Sequence, residues 1–453
     1  MPVYNSYAST RSSKNFLPHA IRAILRQTFT DFELIILDNQ STDDTSKFCQ
    51  QSAQQDPRIR YILDTEQRFP EAAIGHLAGM ARGDYCAIAN DDDLWDREYF
   101  EKLFDYAESH PETNLVYGRE IAIDEHDRLI DVVTPAKDAV YSDTMSRLSS
   151  FARYVHKRNV IPIAFGLYKT DVFKKVLPYE DFDVLKQNVD NVFMWKFFLL
   201  GFKAQYIQEA LFCYRRKNRG WYANTLVTIL PGVNKPMTTW LLLARHQLLL
   251  FRKLMELITN HPFTNEAIQL MRCAIILTNI KICLGSLIPM QKDIEKLDHV
   301  SAKRLSDLVN AVRHDPILSL GSSPEPGFLI KDDDSVNVQD IRSWQVRTLD
   351  ILDRFLKLCD RAYAQETNDD SRAYFEECKH IVEEEIEYYH SLNIALAEND
   401  FVSTVGQVPL VGRARIFLKS FVKENPPVLA VYRQARKVWS QIRYAHLIPS
   451  ILK

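Results

Sequence analysis

At 453 residues, 46% hydrophobic and 25% charged, the chain is long enough for two or three domains with real cores, and its composition is that of a globular protein rather than a disordered or fibrous one. The net charge of −3 gives no reason to expect a nucleic-acid partner, but it hides an asymmetry. Residues 412–453 carry nine Lys or Arg against the single acid Glu424, a local charge of +8 that leaves −11 on the remainder. Seven scattered cysteines with no Cys-x-x-Cys pair predict reduced thiols in a cytoplasmic protein rather than a disulfide framework or a zinc site. The first residues lack the basic start and apolar core of a signal peptide. The longest apolar run, 273–290, contains Asn279 and Lys281, which reads as a buried helix rather than a membrane span.

In chain order, Met1-Pro2-Val3-Tyr4-Asn5 precedes a polar stretch, and the spacing of Ile21, Ile24 and Leu25 predicts a helix over 16–27. Residues 33–37 have the length and composition of a buried strand. They end at a polar turn, Asp38-Asn39-Gln40-Ser41-Thr42, whose Ser41 or Thr42 is placed to cap the next helix. A strand over 59–63 follows, then a helix over 71–82 stopped by Gly83, then a strand over 84–89 that delivers Asn90-Asp91-Asp92-Asp93-Leu94-Trp95.

Alternating strands and helices with polar residues at the strands' C-terminal ends predict a parallel α/β sheet, and ligands of such sheets bind outside those ends. Asp38-Asn39 and Asp91-Asp92-Asp93 therefore line one crevice. Three adjacent carboxylates repel one another, and a divalent cation such as Mg²⁺ or Mn²⁺, bridging to phosphate, would relieve that repulsion. The plainer readings stay open at this point: a solvated acidic turn that caps a helix, and Asx turn chemistry alone at Asp38 and Asn39.

These segments together resemble glycosyltransferase family 2, the inverting transferases of the GT-A fold. The resemblance rests on Pro2-Val3-Tyr4-Asn5, on Gln27-Thr28-Phe29-x-Asp31-Phe32-Glu33-Leu34-Ile35-Ile36-x-Asp38-Asn39-x-Ser41-Thr42-Asp43, on Gly83-Asp84-Tyr85 and on Asp91-Asp92-Asp93-Leu94-Trp95, and spans roughly residues 1–225. It implies a Rossmann-like mixed sheet, a UDP-, GDP- or dTDP-linked sugar donor, a Mn²⁺ or Mg²⁺ cofactor, and transfer to a hydroxyl acceptor with inversion. Carried onto this chain, it implies that Pro2, Tyr4, Asp38 and Asn39 frame the nucleotide base, that Asp91 meets the ribose, and that Asp92 ligates the metal with Asp93 beside it. Asn90 and Asn39 stand where many members carry acids. Members begin with an apolar strand ahead of the Pro-Val-Tyr-Asn equivalent, so the first strand looks truncated: either the start site is misassigned, the favoured reading, or the sheet lacks that strand.

Further on, a helix over 97–109 closes at His110-Pro111, a strand over 114–123 carries Glu120, and residues 124–127 read as a hairpin turn. Asp190, heading a helix rich in Phe193, Trp195, Phe197 and Phe198, matches the family's general base, with Asp181 and Asp183 as weaker candidates; without the resemblance Asp190 reads first as a helix cap. Segments 201–207 and 211–216 are expected as a strand pair leading to a cationic loop. There Arg215, Arg216 and Arg219 would offset the leaving diphosphate as part of a lid. The Gln-x-x-Arg-Trp pattern of processive synthases is absent, which favours single-sugar transfer.

Beyond 230 the apolar spacing becomes helical and strand signals vanish. The expected organisation is a GT-A domain over 1–228, an all-α region over 229–400 and a basic amphipathic tail over 401–453. A second triplet, Asp332-Asp333-Asp334, lies in a Pro/Gly/Ser-rich linker and reads as a solvated turn. The helical region is a place for acceptor binding or homo-oligomer contacts. The tail suits an anionic membrane surface, placing the protein peripherally on the inner face, or else packs on the acidic body of the same chain. The expected function is a metal-dependent hexosyltransferase in surface-polysaccharide, lipopolysaccharide or glycolipid biosynthesis, with a glycan or glycolipid acceptor. Two alternatives accompany it: a degenerate, non-catalytic GT-A interaction module, and, less favoured, a nucleotidyltransferase.

Overall fold

The computed structural model describes residues 1–7, 15–68, 70–132, 141–143, 150, 164–177, 189–215, 236–260, 338–363 and 369–392, with parts of 268–312. They divide into two compact units, one drawn from Met1–Arg147 and Asn159–Asn218, the other from Arg219–Val402. The first is α/β and the second helical, the two fold types read from the sequence.

The first unit opens with β1 (Pro2–Val3), α1 (Leu17–Leu25), β2 (Leu34–Asp38), α2 (Thr45–Gln55) and β3 (Ile59–Leu63), and its three strands form a parallel sheet in the order β1-β2-β3. All five residues of β2 are buried. Leu34 and Ile36 join the core that holds Ile21 and Ile24 of α1 and Cys49 of α2. Ile35 and Leu37 pack instead on Ala73 and Leu77 of α3 (Pro70–Met80). A strand covered on both faces has no polar side to show, so it reads as a continuous apolar run rather than an alternation. β1 pairs with β2 over Pro2↔Leu37 and Val3↔Asp38 only, two residues against the five of its neighbour.

The chain continues through β4 (Tyr85–Ala87), β5 (Leu94–Trp95), α4 (Tyr99–Ser109), β6 (Leu115–Ile123), β7 (Leu129–Val132), β8 (Leu167–Lys169), α5 (Thr170–Val176), α6 (Val189–Leu199) and β9 (Ala204–Arg215). These strands form a second, mixed sheet in the order β4-β8-β6-β9-β5, with β7 on β6. A cavity of about 890 Å³ is lined by Leu34 and Ile35 of the first sheet and by Tyr85, Cys86 and Ala87 of the second.

Two details depart from the sequence expectation. The segments read as a strand pair are one twelve-residue strand, β9, running parallel to β6, with a register shift that passes from Gly118↔Ile207 to Arg119↔Leu211. The bulge leaves Gln208 and Glu209 exposed, and those polar residues inside an apolar strand are what looked like a turn. A Cβ on Gly118 would sit 2.4 Å from the Ala210 carbonyl oxygen and 2.6 Å from the Tyr99 ring, so only glycine fits beside the bulge. Leu94 and Trp95, expected only to lead into a helix, form β5, antiparallel to β9 through Leu94↔Cys213 and Trp95↔Phe212.

The second unit holds α7 (Pro236–Thr259), α8 (Val338–Tyr363) and α9 (Asp369–Ser391). Leu248, Leu254, Leu352, Phe355, Phe375 and Val382 are buried among them. Trp240 donates its indole N–H to the Cys283 carbonyl at 2.9 Å. Arg245 pairs with Glu377 and Arg252 with Glu384, partners seven residues apart on each helix, as expected of neighbouring helices that present a common seam. Among the described residues, no helix is long and apolar enough to cross a membrane.

Candidate functional site

The acidic turn hangs between β4 and β5. Pairing of β5 with β9 fixes its downstream end, and the Asp96 amide donates to the Leu211 carbonyl at 3.0 Å. Asp93 is fully buried. Its Oδ1 accepts the Arg215 backbone N–H at 2.8 Å and its Oδ2 accepts the Asn90 amide at 2.8 Å. Burial, and then the charge of Asp92, push the Asp93 carboxyl well above the usual carboxylate range, against the opposing effect of the Arg215 and Asn90 hydrogen bonds. Asp91 and Asp92 are half-buried, and Asp91 Oδ2 accepts a hydrogen bond from the Ser6 hydroxyl.

The other wall is built from the ends of β1 and β2. Asp38 is buried and its carboxylate serves the turn around it: Oδ1 accepts the Ser41 amide at 2.8 Å, and Oδ2 accepts the Tyr61 hydroxyl at 2.9 Å and the Ser46 hydroxyl. Asn39 exchanges two hydrogen bonds with the backbone of Arg68, each 2.6 Å, and Arg68 in turn pairs with buried Asp64 at 2.9 Å. Asn5 and Gln40 adopt positive φ, 49° and 62°, a region that few residues other than glycine occupy and that Asn tolerates best. Asn5 joins the two strand ends, donating its amide to Ser41 Oγ at 3.0 Å and accepting the Thr42 amide at 2.8 Å. Ser6 then ties this wall to Asp91, while its own amide donates to Thr45 Oγ1 at 2.8 Å.

Tyr4, 48% exposed, lies in the same loop, and Pro2 lies in β1. Pro2, Tyr4, Asp38, Asn39 and Asp91 to Asp93 therefore belong to one set of strand ends connected by hydrogen bonds. Ser41 and Thr42 do not cap α2: that helix starts at Thr45, whose amide donates to Asp43 Oδ1 at 2.9 Å, and the two hydroxyl residues are turned to Asn5 instead. Asp190 lies in the first turn of α6, and its side chain is outside the described residues. Asp181, Asp183, Arg216, Arg219, the 332–334 triplet and the 401–453 tail are outside them as well.

Arg215 is the described member of the expected lid set. Its side chain is 1% exposed and pairs with Asp127 at 2.6 Å, within the hairpin turn between β6 and β7. Residues that sequence reasoning passed over are Ser6, Thr45, Tyr61, Asp64, Arg68 and Asp127. Each acts by touching a segment distant in the chain, and no local pattern announces that.

In an α/β unit, acidic turns at the C-terminal ends of the strands stand where such folds bind their ligands. Residues 1–176 match the family described as Glycosyl transferase family 2. Over those residues the chain is similar to that family of glycosyltransferases. The chain is 25% identical over 224 residues to glycosyltransferase GlyG of Streptococcus pneumoniae, covering 48% of this chain and 70% of that protein. It is 26% identical over 220 residues to the glycosyltransferase MJ1057 of Methanocaldococcus jannaschii, covering 48% and 72%. Among solved structures, S. aureus TarS 1–349 in complex with UDP-GlcNAc aligns at 13% identity with a TM-score of 0.45, over 84% of this chain and 89% of that one.

Proposed function

We propose that the chain is an inverting, metal-dependent hexosyltransferase that moves one sugar from a nucleotide-diphosphate donor to a hydroxyl of a glycan or glycolipid acceptor in surface-polysaccharide, lipopolysaccharide or glycolipid biosynthesis. The observation that carries this is the hydrogen-bonded junction of the two acidic turns, which follow β2 and β4, through the loop after β1: Asp91 to Ser6 and Asn5 to Ser41. Pro2, Tyr4, Asp38, Asn39 and Asp91 serve the nucleoside end, and Asp92 faces the diphosphate. Arg216 and Arg219 supply positive charge to the departing group.

Among the described residues, no group of three or more His, Cys, Asp or Glu is set to hold a metal by itself. Mg²⁺ is commonly held through one or two carboxylates, with its remaining ligands from substrate phosphates and water. Asp92 would hold the ion, with Asp93 supporting the turn from behind. Once bound, the ion neutralises diphosphate charge. Asp190 acts as the base: it takes the acceptor hydroxyl proton as that oxygen bonds to the anomeric carbon and the bond to the diphosphate oxygen breaks, releasing a nucleoside diphosphate.

The helical region of 229–400 serves the acceptor or a second copy of the chain, and the basic tail of 401–453 meets an anionic membrane from the cytoplasmic side. One observation favours a second reading, a non-catalytic GT-A module: the side chains of Asp38 and Asn39 are both engaged within the fold. Hydrolysis of UDP-, GDP- and dTDP-sugars with and without Mn²⁺ separates the two. Metal-dependent release of nucleoside diphosphate supports the enzyme, whereas no turnover with any donor sinks it, and pyrophosphate release would point to nucleotidyl transfer.

A further inference from the structure

We infer that Arg215 is a positioning residue that locks the acidic turn onto the hairpin turn at Asp124 and Asp127, so that the hairpin belongs to the donor site without touching the donor. The inference rests on the proposed donor and metal reading of Asp91 and Asp92. Arg215 makes four hydrogen bonds to the two turns. Its backbone N–H donates to Asp93 Oδ1 at 2.8 Å, its Nε to the Asp92 carbonyl at 2.7 Å, and its Nη1 to the Asp124 carbonyl at 2.8 Å and to Asp127 Oδ1 at 2.6 Å. The guanidinium carbon lies 4.1 Å from the centre of the Phe16 ring, which covers one face.

The geometry of these bonds decides what they control. Holding the carbonyl of Asp92 and the carboxylate of Asp93 fixes the backbone on the C-terminal side of Asp92, and hence the direction in which the Asp92 side chain leaves the chain. A guanidinium suits the task because its planar fork donates in several fixed directions at once, whereas an ammonium is a compact charge on a flexible stem whose three donors rotate. The same engagement removes Arg215 from the lid. To face a leaving diphosphate it would have to abandon all three side-chain bonds, including the ion pair with Asp127, whose side chain is 20% exposed. Sequence alone placed Arg215, Arg216 and Arg219 in one cationic loop; in the structure Arg215 is the last residue of β9, which pairs with β5 and β6.

The test uses the full-length chain with Arg215→Lys and Asp127→Asn, and with Lys175→Ala as a control on an exposed ion pair of α5. Binding of Mn²⁺ in the presence of UDP is followed by loss of the free-ion electron paramagnetic resonance signal, and amide hydrogen exchange is read over peptides covering 89–96. The expected result is a Mn²⁺ midpoint raised about ten-fold in Arg215→Lys, less in Asp127→Asn and not in the control, the size typical when a group that orients a metal ligand is altered. Exchange over 89–96 should quicken in both variants. A fall in melting temperature with an unchanged Mn²⁺ midpoint in the folded fraction would overturn the inference, as would unchanged exchange over 89–96. Should Arg215→Lys fail to fold, Asp127→Asn, which keeps a hydrogen-bond acceptor and loses only charge, carries both readouts. If the unaltered protein takes up no Mn²⁺ with UDP, the metal reading fails separately, and the exchange result alone then decides for or against the clamp.

Discussion

Arg215 and Asp93 stand 122 positions apart in the chain, yet the backbone N–H of one meets the carboxylate of the other at 2.8 Å. That contact joins the last residue of β9 to the acidic turn after β4, and it accounts for the different environments of three adjacent aspartates. Asp93 is buried, while Asp91 and Asp92 are half-buried. Repulsion within the triplet is thereby reduced before any cation arrives.

Replacement of Asp190 by asparagine should abolish sugar transfer while leaving donor binding intact. The change keeps size and hydrogen bonding but removes the proton acceptor, and loss of a general base typically costs about 10²–10⁴-fold in rate. Single-turnover transfer measured beside UDP titration checks it, and transfer at the unaltered rate refutes the assignment.

Gly118→Ala should destabilise the first unit. The added Cβ meets the Ala210 backbone oxygen at 2.4 Å, a neighbour that moves only if the β6–β9 bulge moves, so a cost of about 1–3 kcal/mol is expected. A lower urea midpoint with an unchanged slope is the predicted outcome. Gly75→Ala, where nothing lies within 4 Å of the new atom, should be tolerated.

In the helical unit, Arg272 donates from Nε to Glu385 Oε2 at 2.8 Å and lies 3.9 Å above the centre of the Tyr388 ring. The Glu385 side chain is only 6% exposed, so Arg272→Ala leaves a carboxylate buried without its partner, at a cost of about 3–5 kcal/mol. Glu385→Gln in the Arg272→Ala background should recover part of that loss. Absence of recovery by thermal unfolding would show that the pair matters through packing alone.

The cysteines predict a pH dependence. Burial pushes the thiols of Cys49, Cys86 and Cys378 up to about 12 and that of Cys273 up to about 11. The folded state therefore keeps protons that the unfolded chain gives up near pH 9, and stability should fall as pH rises from about 9 towards 12. The urea midpoint should drop over that range. At pH 8 the native protein should resist iodoacetamide, which reacts with the thiolate, and become reactive on unfolding. Rapid labelling of folded protein at pH 8 would contradict this.

The sequence by itself determined the α/β character of the first unit, the helical character of the second, and the clustering of Asp38-Asn39 with Asp91-Asp92-Asp93. Each of these follows from local patterns: apolar runs of strand length, helical spacing, and polar residues placed where a parallel sheet gathers its loops. Only the tertiary structure decided which member of a local group does what. Asp93 differs from Asp92 because β5 pairs with β9 and brings the Arg215 amide to it. Arg215, read in the sequence only as part of a cationic loop, ends β9 and is turned inward onto Asp127 of the β6–β7 hairpin. Burial and hydrogen-bond partners come from residues far away in the chain, so adjacent residues of the same type carry the same local signal and acquire different chemistry only when the sheet closes.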